Sequence, residues 1–523
     1  MKFVTDQAGY TQGMAAKDHG SASLADLWLS MLLFGSIGAI AWAIRGSNGW
    51  GGIDGTLVPG LTWGLLWYYL CQRQGIDARG VVLWLGLGLA LSGELGYGQY
   101  VAWIRGKFYA GDEVLPMAPW LGYVWFAICG LGRGAMGGVV LGWVLQGKAS
   151  RNRWLVRVLL MGVLFVLLFN LGAPLLGTGV IDWLGERLLQ HGGGIVFPNF
   201  HLGLYAGELD KHLGRTVYTN TQNATIVVWF VIAMLVAALQ RDRTTLVAGA
   251  IIGGGFGIGF PLSAVWCLGY EHAPDYIDWW KVWELNSGFY LGLLYAVMLH
   301  WALRQVDRQP DQKAISQAEQ TAGAVRGEMY AAVCAAAAGF VLVFVAGFEY
   351  FFWTGLFLAT FCGAALLVAA FPGFTGGDPR RAQELRLDMS LAYAAFLLLF
   401  ILLHGASSRA GVLLELYSTE AIDQYQWPPG RVALFVPAAA VLFGVTLYRM
   451  RRILVILRDS SAPWEESTYH TEWMIDLLAF IGLVGAVSIW PDKSIVLYAL
   501  FLCLALFAFG RINRRLDSAD RRT

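Results

Sequence analysis

Residues 118–145 read APWLGYVWFAICGLGRGAMGGVVLGWVL, twenty-eight residues with one charge, Arg133, near the centre. A run this long and this apolar crosses a bilayer as a helix, for which about 20 mostly apolar residues suffice. A charge at the middle of such a helix costs about 2.5 to 3.5 kcal/mol on insertion scales, so Arg133 must face a partner or a water-filled cavity.

The pattern recurs along the whole chain. Of its 523 residues 57% are hydrophobic and 14% charged, and the mean hydropathy is +0.54; soluble domains carry roughly 25% charged residues. Lys+Arg 37 nearly cancels Asp+Glu 36, which leaves no basic surface for a nucleic acid. The six cysteines fall inside apolar runs without CxxC spacing, so neither a disulfide framework nor a zinc site is indicated. The fold class expected is an all-α polytopic integral membrane protein.

Fourteen spans are predicted: 27–45, 57–72, 80–104, 118–145, 154–178, 224–240, 245–268, 283–303, 329–347, 350–372, 389–404, 431–448, 471–490 and 494–510. Loop charge supports the count, because Lys and Arg collect on the cytoplasmic side of short loops. With the amino terminus inside, 26 of the 37 basic residues fall on cytoplasmic segments and ten outside, with Arg133 alone within a span. Both termini are therefore expected in the cytoplasm of a cell (inner) membrane protein. The polar first 26 residues run into a full-length span and do not read as a cleaved signal.

Composition divides the chain once. Residues 1–303 hold 49 of the 65 glycines and 18 of the 23 tryptophans. The expected organisation is a cytoplasmic segment 1–26, a Gly/Trp-rich module 27–303 of about eight spans, a polar cytoplasmic linker 304–328, a second module 329–510 of about six spans, and a basic tail 511–523. The second module reads as scaffold, or as a face for another copy or a complex partner. A weak repeat runs through the first. Ala41–Gly46, Ala102–Gly106 and Ala264–Trp266 close three spans, and returning spans carry small pairs at Gly60/Gly64, Gly134/Gly138 and Gly288/Gly292.

Two ionisable residues lie deep in spans, Glu94 in span three and Arg133 in span four. The spans are consecutive and antiparallel, so the two are natural partners, either as a buried ion pair locking two helices or as a site for a solute. Span seven contains Gly253-Gly254-Gly255-Phe256-Gly257-Ile258-Gly259-Phe260-Pro261. Glycine and proline disfavour a helix there, and an interruption whose backbone lines a cavity is predicted, with Gly255 and Gly257 in it. The alternative is a glycine face for close helix packing.

Three outer loops complete the reading. The first, Arg45 to Thr56, is glycine-rich, and Arg45 and Asp54 flank a compact turn suited to a gate or a substrate contact. The fourth carries Glu271, His272, Asp275, Asp278, Lys281 and Glu284 among tryptophans, as an interfacial belt or an acidic vestibule. The longest, 179–223, contains His191, His201 and His212 without the spacing of a zinc helix, and two surface helices are expected there. No cofactor is called for, and no cytoplasmic segment has the length of a nucleotide-binding domain.

The leading expectation is a secondary transporter or permease for a small polar or anionic, sugar-like or organic solute, with membrane lipids as its surroundings. Its site would use Glu94, Arg133, Gly255, Gly257, Arg45, Asp54 and Glu284. A membrane-embedded transferase on a lipid-linked substrate, with Asp54 as base, is the second reading. A non-catalytic subunit of a membrane complex is the third.

Overall fold

The computed structural model describes residues 24–47, 53–74, 81–110, 113–145, 211–307 and 494–520, together with Gly444 and Tyr448. Its elements are helices α1 (Leu24–Ser47), α2 (Ile53–Arg73), α3 (Val81–Leu91) and α4 (Gly98–Ile104), then a hairpin β1 (Lys107–Ala110) and β2 (Glu113–Pro116). Helices α5 (Pro119–Leu145), α6 (Lys211–Leu239), α7 (Arg243–His272), α8 (Trp279–Asp307) and α9 (Ile495–Asp520) follow. Among the described residues, five helices are long and apolar enough to cross a membrane: α1, α5, α7, α8 and α9. The chain is thus a helical protein with several candidate spans. The antiparallel hairpin, pairing Lys107 with Pro116, is an addition to the all-α expectation. The spans expected at 154–178, 329–347, 350–372, 389–404 and 471–490, most of 431–448, and His191 and His201 of the long loop lie outside the described residues, while His212 stands in the first turn of α6 with its side chain outside them.

Helix α5 is the hub. It contacts α3, α4, α6 and α7, while α1 lies along α8 and α9, and α2 pairs with α3. Glycine explains the close approach of α5 to α7. Gly130, Gly134, Gly138 and Gly142 recur every fourth residue, so they share one face. A Cβ at Gly130 would lie 2.6 Å from Phe256 O and one at Gly142 2.5 Å from Thr245 Cα, while Gly134 and Gly138 face the carbonyls of Ile252 and Ala248. The other small pairs behave alike. Gly60 and Gly64 receive the α3 backbone at Gly86 and Val82, and Gly288 and Gly292 receive the α1 backbone at Gly38 and Phe34.

The expected interruption of span seven is not found. Helix α7 is one run from Arg243 to His272, opened by Asp242, whose carboxylate accepts from Thr245 N at 2.9 Å. It loosens to a π-turn over Gly249–Gly254 and tightens to a 3-10 turn over Val265–Leu268, and the αR backbone continues through Gly255 and Val265. The reason is side-chain packing. Gly249 faces Met234, Gly253 faces Phe230 and Ala135, Gly255 faces Leu294, and Gly259 faces Tyr290. Each of these four glycines weakens the helix by about 1 kcal/mol but admits a neighbour whose burial offsets it; Gly254 between them meets nothing within 4 Å. Pro261 removes a single donor, the one its own N–H would have offered the Gly257 carbonyl.

Helix α9 joins the opposite end of the sequence to the first helices. Tyr69 donates to Asn513 at 2.7 Å, Arg73 pairs with Asp517 at 2.5 Å, and Arg515 pairs with Asp26 at 2.7 Å. The last helix therefore docks on α1 and α2, at the end of the bundle where α1 begins and α2 finishes.

Candidate functional site

The break expected within 253–261 occurs instead within residues 80–104, between α3 and α4. Helix α3 stops at Leu91, Ser92–Glu94 form one 3-10 turn, Leu95–Tyr97 are irregular, and α4 resumes at Gly98. Residues 92–98 read SGELGYG, in which Ser and three glycines hold the helix weakly. Ser92 turns its hydroxyl back to Leu89 O at 2.5 Å. Buried carbonyls released this way need donors. Leu95 O accepts from Arg133 Nη2. Gly96 O accepts from Asn223 Nδ2 at 2.9 Å and from the Cys129 thiol at 3.8 Å. Asn223 also bonds Tyr100 OH at 3.1 Å, and Tyr100 donates to Asn220 at 2.7 Å, so α6 grips the restarted helix.

The break aims Tyr97 between two arginines. Arg45, in the last turns of α1, donates to Thr56 Oγ1 at 3.0 Å and to Tyr97 OH at 2.5 Å. The Arg133 guanidinium stands 4.8 Å from the Tyr97 ring centroid and 5.7 Å from that of Trp42, and Arg45 lies 4.2 Å from the same Trp42 ring. Both arginines are buried, with exposures of 1% for Arg45 and 0% for Arg133. Aromatic rings enclose them. Tyr97 meets Trp283 at 5.1 Å and Phe260 at 5.8 Å, edge-on in both cases, and Trp42 meets Phe256 at 5.9 Å.

Glu284 is the buried carboxylate nearest this cluster among the described side chains. It accepts from Trp280 Nε1 at 2.8 Å and from Lys281 Nζ at 2.7 Å, and it acts electrostatically on both Arg45 and Tyr97. Its charge is thus already matched by Lys281. Among the described residues nothing accepts from three donors of the two arginines: Arg45 Nε, Arg133 Nε and Arg133 Nη1. The indole N–H groups of Trp42 and Trp283 in the same cluster are also without acceptors. Buried polar groups in native proteins are nearly all paired, so a knot of unpaired donors marks a place where an acceptor belongs.

In the segment between α7 and α8, the expected fourth outer loop, Glu271 and Asp278 are engaged by protein partners. Glu271 pairs with Arg105 at 2.6 Å and Lys107 at 3.0 Å, tying the β-hairpin to the end of α7. Asp278 caps α8 by accepting from Trp280 N at 3.0 Å, as expected of an aspartate at a helix start.

Of the residues singled out from the sequence, Arg45, Arg133 and Glu284 come together. The backbone of Glu94 lies in the break and that of Asp54 at the start of α2, but both side chains lie outside the described residues. Gly255 and Gly257 face Leu294 and Leu131, as packing positions. Sequence reading did not single out Tyr97, Trp42, Trp283 or Asn223. The alternating glycines around Tyr97 were the available signal for it. Asn220 and Asn223, lone amides leading into an apolar helix, were the signal for the α6 contact. Compared with known proteins, the chain matches no family, no characterised protein and no solved structure.

Proposed function

We propose that this chain is a secondary transporter or permease of the cell (inner) membrane that moves a small polar or anionic solute through the first module. In this reading it has fourteen spans and two cytoplasmic termini. One observation carries it: two wholly buried arginines converge on Tyr97 at a helix break, with N–H groups left for an acceptor. Breaks of this kind form solute sites in transporters because loosened backbone is tolerated only against protein or a cavity. Purified protein in liposomes should carry labelled anions across the bilayer, and Arg133→Gln should stop it. A panel of organic and inorganic anions none of which moves faster than in empty liposomes would overturn the proposal.

The orientation has its own test. A cysteine at Gln320 and one at the carboxyl terminus should label only from inside, and one at Tyr276, which is 71% exposed between α7 and α8, only from outside. The reverse pattern at either side dismisses the topology.

One observation favours a second reading. Arg45 lies in the last turns of α1, and Glu284 in the second turn of α8, near one end of the bundle. A transferase on a lipid-linked substrate would place its acceptor groups at such a level, with Asp54 nearby as a base. Product formed without solute movement would select it.

A further inference from the structure

We infer that the Arg45–Arg133 cluster binds a phosphate-type oxyanion, either free or as the headgroup of a lipid. The inference rests on the reading of this cluster as a ligand site and names its chemistry. Among the described residues its unpartnered arginine and indole atoms are Arg45 Nε, Arg133 Nε, Arg133 Nη1, Trp42 Nε1 and Trp283 Nε1, all donors, while Asn223 Oδ1 at the break is an unpartnered acceptor. Donors outnumber that acceptor five to one, which favours a ligand made mostly of acceptors over a sugar, whose every hydroxyl needs an acceptor as well as a donor. A cation is excluded by two guanidiniums with no exposure to water beyond 1%. A carboxylate offers about four lone-pair positions on two oxygens in one plane, whereas these donors are spread over three helices, α1, α5 and α8. A tetrahedral group with three or four charged oxygens matches that spread.

The walls fit the same ligand. Trp42 stacks under Arg45 at 4.2 Å, and Tyr97 lies 4.8 Å from Arg133, so rings hold both guanidiniums from the side while their remaining edges stay available. Arginine presents such an edge as a rigid fork suited to paired bonds with phosphate oxygens. Glu284 would repel an anion, but Lys281 and Trp280 engage both of its carboxylate oxygens.

The test is direct binding to the full chain in nanodiscs of neutral lipid, titrated with inorganic phosphate, with glycerol 3-phosphate and with succinate, and separately with phosphatidic acid placed in the bilayer. Saturable binding of either soluble phosphate supports a free oxyanion. Binding confined to phosphatidic acid supports the same site filled from the lipid. Trp283→Phe keeps the ring and removes one donor, so it should weaken binding about tenfold; Arg133→Lys keeps the charge and loses the fork, and should weaken it about tenfold to a hundredfold. Binding of succinate without any phosphate compound, no binding at all, or binding untouched by both variants overturns the inference. Transport is scored separately. Phosphate binding without flux dismisses the permease and leaves the site, while flux of an uncharged solute without phosphate binding does the reverse.

Discussion

Two stretches of this protein look alike in composition and fold differently. Residues 80–104 and 249–269 are both apolar and glycine-rich, yet the first is interrupted at Ser92–Tyr97 and the second continues to His272. The difference lies in what surrounds them. Around α7, all of the glycines of 249–259 but Gly254 receive methionine, phenylalanine, leucine or tyrosine side chains or the backbone of α5, and the side-chain donor to its carbonyls is its own Ser263, which bonds Phe260 O at 2.7 Å without opening the helix. Around the break stand Arg133, Asn223 and Cys129, each donating to a released carbonyl. A glycine run permits a break, and neighbouring donors decide whether one is stable inside an apolar bundle.

The largest expected effect comes from disturbing what keeps α7 whole. Gly134→Val places a branched side chain against the Ile252 carbonyl and the Phe256 Cβ, where backbone cannot swing aside. Overpacking of this kind costs about 3 kcal/mol or more, and little monodisperse protein should elute from a sizing column. A variant that elutes and melts like the parent would mean that the glycine face of α5 does not set the path of α7.

Next in size is the removal of the charge from the break. Arg133→Leu deprives Leu95 O of its donor and the cluster of one guanidinium, so anion flux should fall by about a hundredfold or more. Glu94→Gln should impair the protein less, because the amide keeps the shape and hydrogen-bonding capacity of the acid. Equal or reversed effects of the two substitutions, measured as initial rates in liposomes, would place the important charge on Glu94. Asn223→Leu should act on stability rather than on flux chemistry. It leaves Gly96 O short of a strong donor at a cost of about 1 to 3 kcal/mol, read as a lower melting temperature in detergent. No shift would show that the thiol of Cys129 is donor enough.

These residues also mark what could be read from the sequence. Helices α1, α5, α7 and α8 follow from uninterrupted apolar length, and the burial of Arg133 follows from the cost of an unpaired charge in an apolar run. The glycine pattern points to a break in α7, whereas the break lies between α3 and α4. Glycine content is a local property, whereas Leu95 and Arg133 are 38 positions apart and Gly96 and Asn223 are 127 apart. Nothing within residues 249–261 announces that Leu294 and Phe230 fill the spaces its glycines leave. Arg45 was legible as a candidate but was placed in a loop, because its position in the last turns of α1 hides that Thr56 and Tyr97 come to meet it.

The smallest expected effect sharpens the comparison most cheaply, with one methyl group placed in each stretch. At Gly254 a Cβ would meet nothing within 4 Å, and the residue lies in a helix whose backbone is already αR. Gly254→Ala should therefore gain up to about 1 kcal/mol from helix propensity, seen as a rise in melting temperature of about 1–2 °C. At Gly96 a Cβ would lie 2.8 Å from Thr219 Cγ2 and 3.0 Å from its Oγ1, at the carbonyl that Asn223 holds. Gly96→Ala should push α6 away from the break and lower the melting temperature. Opposite signs for the same substitution mean that α7 tolerates glycine while the break requires it. If Gly254→Ala lowers stability instead, the π-turn at Gly249–Gly254 depends on its glycine backbone, and the contrast between the two stretches becomes one of degree.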